Sequence, residues 1–285
     1  MCPNIQVLGV GWVLLLPIVV LAIVLGITDV LPVSASANLQ ILSFFTGWKR
    51  AGPIVELAIL LGTWLATAVY LWRDMLAIVV GLGRAAKGRR DPGAKLAAYV
   101  FLATIPAAVA AFATERFYPI TLDGSAVIAW TAIGFGVVLY LADKLGMTLR
   151  RVEHLRASDT IVIGIAQVLA LIPGTSRGAI TIAAARVLGF ERRDAARFSL
   201  LLSLPTTAAT AAYLGFKLWR SGEISVPVEA FVAAGTGFIA ALLAIAIMMA
   251  WLRRSTFTPF VVYRLLVGGF LLAIVYGILP RAPWW

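Results

Sequence analysis

Apolar stretches recur from one end of the chain to the other, most of them about 17–25 residues, the length that crosses a hydrocarbon core of ~30 Å. They lie at 7–28, 30–47, 54–72, 96–114, 126–142, 160–172, 178–190, 198–216, 228–252 and 259–279. The runs are continuous rather than alternating, which predicts helices and not the strands of a closed barrel. Composition agrees: with 61% apolar and 13% charged residues, the 285-residue chain has too little polar surface for a soluble domain. The expectation is an all-α polytopic membrane protein with a single integral membrane domain over 1–285.

The formal net charge of +11 does not point to nucleic acid, because the basic residues sit in short loops between apolar runs. Most belong to four clusters: Arg84 to Lys95, Lys144 to Arg156, Arg186 to Arg197, and Arg253 with Arg254. Placing all four on the cytoplasmic side satisfies the positive-inside tendency and the parity of the spans. The single cysteine, Cys2, excludes a disulfide framework and a cysteine-based metal site. No Lys or Arg precedes Lys49, so the first apolar run lacks the basic flank of a cleaved signal despite the small residues Ser34-Ala35-Ser36-Ala37.

Runs 30–47, 160–172 and 178–190 are short and rich in Pro, Gly, Ser and Thr. Broken backbone at membrane depth is tolerated where protein or a cavity surrounds it, so these segments predict two re-entrant helix hairpins. The segment Leu31-Pro32-Val33-Ser34 aligns with Ile172-Pro173-Gly174-Thr175 at an offset of 141, close to half the chain. Each half, about 1–142 and 143–285, then carries three full spans and one hairpin. An odd number of spans inverts one half against the other, so the architecture expected is an inverted-topology repeat of six spans and two hairpins, with a site near the midplane.

Ionisable groups inside apolar runs are costly and draw attention: Asp29, Glu56, Asp143, Arg177 and Arg264. Asp143, beside Lys144, reads as an interfacial pair, and Arg264 as the neutraliser of a carboxylate within the bundle. In the second hairpin, Pro173 lacks an N–H, Gly174 permits a tight turn, and Thr175 or Ser176 can cap the helix that follows. Free backbone N–H groups, a positive helix end and the Arg177 guanidinium then meet at one point. With Gly178 beside them they make an anion site suited to phosphate; a plain capped helix with a snorkelling arginine is the alternative. The first hairpin offers a second helix start, capped by Ser34 or Ser36, with Asn38 adding a donor and an acceptor. Asp29 there is free to bind a divalent cation, pair with Arg177 or act as a general base. Two such starts facing one another suit a diphosphate. Glu56 is either a second site carboxylate or a partner for Lys49 or Arg50. The lone histidine, His154, lies in a basic loop, which removes histidine-based mechanisms.

Gly26-Ile27-Thr28-Asp29-Val30-Leu31-Pro32-Val33-Ser34 resembles the first motif of the bacitracin-resistance type undecaprenyl-diphosphatases (undecaprenyl pyrophosphate phosphatases). Pro173-Gly174-Thr175-Ser176-Arg177 resembles their second, and the segments 198–205 and 257–264 resemble further family stretches in the same order. The resemblance implies a bacterial inner-membrane hydrolase of cell-wall synthesis that removes the terminal phosphate of undecaprenyl diphosphate on the periplasmic face. It also implies a divalent cation, Mg2+ or Ca2+, for which Asp29 and Glu56 are the ligands expected here. Catalytic roles then fall to Asp29, Arg177, Ser36 and Glu56, and substrate binding to Ser34, Asn38, Gly174, Thr175, Ser176 and Gly178. Membrane lipids are the surroundings, a homodimer is a compatible assembly, and nucleic acid is not a partner. The chain departs from the family pattern at Leu25 and Asp29, where glutamates are usual, at Ala35 for a serine, at Asn38 for a histidine, and at Gly178-Ala179 for Ser-Gly. These losses of acid/base groups raise a second reading, a non-hydrolytic polyprenyl-phosphate carrier or flippase using the same anion site.

Overall fold

The computed structural model describes residues 6–48, 52–117, 124–146, 149–222 and 227–279, with side chains from residue 15 onward. The described residues form eleven α-helices and no strand beyond an isolated bridge between Arg150 and Phe190. Six helices are long and apolar enough to cross a membrane: α3 (Pro53–Tyr70), α5 (Pro92–Phe117), α6 (Ser125–Leu145), α9 (Arg192–Ser221), α10 (Val228–Trp251) and α11 (Thr258–Val275). The chain is therefore a multi-pass membrane protein, and these are the six spans expected from the apolar runs.

The hairpins are α1 (Gln6–Val30) with α2 (Ala35–Thr46), and α7 (Ala157–Val168) with α8 (Arg177–Val187). Ser34 caps α2, accepting the Ala37 N–H at 3.3 Å, and Ser176 caps α8, accepting the Ala179 N–H at 3.4 Å. The small-residue stretch 34–37 is thus a helix start. α1 packs against α10, while α7 packs against α5, so each hairpin's leading helix leans on a span from the other half. Hydrophobic burial gives little drive between helices in lipid, and close backbone approach takes its place. A Cβ on Gly62 would overlap the Ala234 carbonyl, and one on Gly26 would lie 2.8 Å from the Gly237 carbonyl.

The run 54–72 is the span α3, and past Leu71 the chain continues as a separate helix, α4 (Trp72–Ala85), opened by Arg73 and Asp74. Asp74 pairs with Arg197 of α9. Two expectations are corrected. Asp143 pairs not with Lys144 but with Arg186 (Nε to Oδ1, 3.1 Å) and Arg192 (Nε to Oδ1, 2.7 Å), and it also accepts the Phe257 N–H. Arg186 is 0% exposed, so it is an internal tie and not a solvated loop charge. Its other donors reach carbonyls of Asp143, Gly146 and Phe190, which satisfies the guanidinium on every side.

Candidate functional site

The two hairpin turns meet. The Gly174 N–H donates to Ser36 Oγ at 2.9 Å, and Ser36 Oγ lies 3.1 Å from Ser34 Oγ. One hydrogen bond therefore links the start of α2 to the turn before α8. That turn is shaped from behind: Thr131 of α6 donates to the Pro173 carbonyl at 2.6 Å, and Arg264 of α11 donates to the Gly174 carbonyl at 3.0 Å. With these carbonyls turned inward, the backbone N–H groups of Arg177 and Gly178 keep no partner among the described residues. Successive free N–H groups at a helix N-terminus form an anion cradle.

Gly174 has φ +93, and a Cβ there would overlap the Thr131 hydroxyl, so only glycine suits this turn. Gly174→Ala is expected to reduce activity at least a hundredfold while the protein still inserts in the membrane, as measured by phosphate release per folded molecule. Ser176 also has positive φ, +69, the one non-glycine residue so placed among those described. Strain of this kind is held by the surrounding contacts.

Arg177 is the first residue of α8, and Asp29 is the penultimate residue of α1. Each charge therefore sits at the helix end its dipole disfavours. They compensate one another: Arg177 Nη2 lies 3.6 Å from Asp29 Oδ1, an ionic contact longer than a hydrogen bond. Nη1 is held firmly, donating to Thr207 Oγ1 at 2.7 Å and Thr206 Oγ1 at 3.1 Å. Asp29 is held on its other oxygen by Thr63 of α3, at 3.2 Å. The side chains of Arg177 and Asp29 are 22% and 31% exposed, so this anchored pair can meet a ligand.

The side chains of the other expected residues lie around the two turns or along α3. Asn38 is buried, with its amide donating to the Ser34 carbonyl at 2.8 Å and its oxygen accepting from the Tyr263 hydroxyl. Both polar ends are used within the protein, so it ties α2 to α11. Thr175 is 0% exposed with its hydroxyl turned inward, and Ser176 does the capping. Gly178 packs against the first turn, where a Cβ would lie 3.6 Å from the Leu31 carbonyl. Ser36 bridges the hairpins with the oxygen that a nucleophile would need. Glu56 stands in the first turn of α3, seven residues before Thr63 on the same helix face, about 10 Å along the axis. No group of three or more His, Cys, Asp or Glu residues suited to a metal occurs among the described residues.

The threonines that hold the pair, Thr63, Thr206 and Thr207, were not singled out from the sequence. A usable signal existed for the last two: Pro205-Thr206-Thr207 lies inside an apolar run, and a proline in a helix frees a carbonyl and attracts polar company.

The family model for "Bacitracin resistance protein BacA" matches residues 18–270. Undecaprenyl-diphosphatase 1 of Rhodospirillum rubrum is 48% identical over 270 residues, covering 92% of this chain and 96% of its own length. The undecaprenyl-diphosphatase of Ruegeria pomeroyi is 40% identical over 263 residues (91% and 98%), and that of Hahella chejuensis 39% over 262 residues (92% and 98%). With a family match over most of its length and full-length relatives well above 30% identity, the chain belongs to the bacitracin resistance protein BacA family.

Proposed function

We propose that this protein is an undecaprenyl-diphosphate phosphatase, releasing inorganic phosphate and leaving the monophosphate lipid in the membrane. The observation that carries the site assignment is the Arg177–Asp29 contact at 3.6 Å beside the free N–H groups of α8. The names of the relatives support the reaction. They give no support to the carrier reading.

In this mechanism the terminal phosphate sits on the N-terminus of α8, with the Arg177 fork on its oxygens, and the start of α2 receives the second phosphate. Water attacks the terminal phosphorus, the bond to the bridging oxygen breaks, and undecaprenyl phosphate leaves. Asp29 takes the proton from water, held in place by Thr63. Arg177 and the helix N–H groups stabilise charge on the transferred phosphoryl. Asp29 would be the carboxylate that holds a divalent cation. Such an ion would neutralise phosphate charge. The reciprocal packing of α1 on α10 and α7 on α5 supports an inverted repeat, and the basic clusters support an inner-membrane protein whose site faces the periplasm.

Purified protein with undecaprenyl diphosphate and Mg2+ is expected to release phosphate. Asp29→Asn is expected to lower turnover about a hundredfold and Asn38→Ala less than tenfold. The opposite ranking would overturn the roles given to these two residues, and no release by the wild type would overturn the reaction.

A further inference from the structure

The mechanism makes no use of the most deeply buried cation near the site. Arg264 is 1% exposed. Its Nε donates to the Ala132 carbonyl at 3.1 Å and its Nη2 to the Gly174 carbonyl at 3.0 Å. Its Nη1 is buried without a partner among the described residues, as is the hydroxyl of Thr175, the next residue along the turn. Sequence reasoning expects a neutralising carboxylate, but no ion pair among the described residues includes Arg264. The contrast with Arg186, equally buried and matched by Asp143, is direct. α6 makes room for this cation with Gly136, whose Cβ would come 3.4 Å from the Arg264 Cβ.

A buried, unmatched guanidinium costs several kcal/mol and persists where something else compensates it. Within the site, Arg177 and Asp29 cancel. Arg264 adds a positive charge that no ion pair among the described residues cancels, behind the turn that leads into the anion cradle.

We propose that Arg264 is a positioning residue whose counter-charge is the bound diphosphate. Acting through the Gly174 carbonyl, it fixes the turn and gives the site its preference for a more highly charged phosphate ligand. This inference rests on the phosphate-site reading above, and it adds the basis for telling a diphosphate from a monophosphate.

The test is binding by calorimetry in detergent, with methylenediphosphonate and inorganic phosphate as probes. Arg264→Met is expected to weaken methylenediphosphonate about tenfold and phosphate distinctly less. Arg264→Lys keeps the charge while altering the hydrogen bonds, and it is expected to retain the diphosphonate preference. Thr131→Val, which removes the other carbonyl anchor without touching charge, is expected to weaken both probes by the same factor. Equal losses for both probes in Arg264→Met, or loss of the preference in Arg264→Lys, would overturn the proposal. If Arg264→Met does not fold, the lysine variant decides alone. None of these measurements depends on turnover. A wild type that binds the probes but releases no phosphate from undecaprenyl diphosphate would refute the enzymatic reading and leave this one standing.

Discussion

Arg177→Ala is expected to lower phosphate release from undecaprenyl diphosphate by about a thousandfold, the scale on which an arginine acts in phosphoryl transfer. The side chain is pre-positioned rather than free: Thr206 and Thr207 hold one arm of the fork, and Asp29 faces the other. Removing it takes away the strongest donor for the transferred phosphoryl and leaves Asp29 without its ionic partner. Arg177→Lys restores a charge but not the planar fork, and it is expected to remain well below wild type. The measurement is turnover at saturating lipid, with thermal unfolding of the same preparation showing that the protein remains folded. Turnover within tenfold of wild type in the alanine variant would remove Arg177 from the chemistry.

The largest loss of stability is expected far from that site. Asp143→Ala leaves Arg186 fully buried with no carboxylate and costs about 3–5 kcal/mol. The Arg192 ion pair and the acceptor for the Phe257 N–H are lost with it. Unfolding in detergent is expected at markedly lower temperature or denaturant. A combined Asp143→Leu and Arg186→Met variant is expected to be more stable than Asp143→Ala, because no fully buried charge is then left unmatched and Arg192 is partly exposed. Equal stability of the two variants would show that the cluster holds the fold through hydrogen bonds alone.

The spans and hairpins were legible because their signal is local: an uninterrupted apolar run, or a run broken by proline, glycine and hydroxyls. Helix α4 was not, since it opens with Arg73 and Asp74 beyond the apolar run and its polar contact, Asp74 with Arg197, joins positions 123 residues apart. Asp29 and Arg177 stood out as charges within apolar sequence. Their supports did not. Threonine is common in these helices and usually satisfies itself on the carbonyl a turn back, as Thr67 and Thr104 do. Nothing in the sequence separates those from Thr63 or Thr207, whose hydroxyls face a charge. Arg186 misled for a related reason: among other arginines it looks like a surface cluster, and its partner lies 43 positions away.

Helix α8 is pinned at both extremities. Arg177 at its start is tied to α9 through two threonines, and Arg186 near its end is tied to α6 through Asp143. The rod between them is about 14 Å long and has no proline to bend it. Pushing on one end therefore moves the other. A small molecule that wedges apart the arginine–carboxylate knot at Asp143 would shift the Arg177 end of the helix from a distance, so its effect on turnover is expected to persist at saturating substrate.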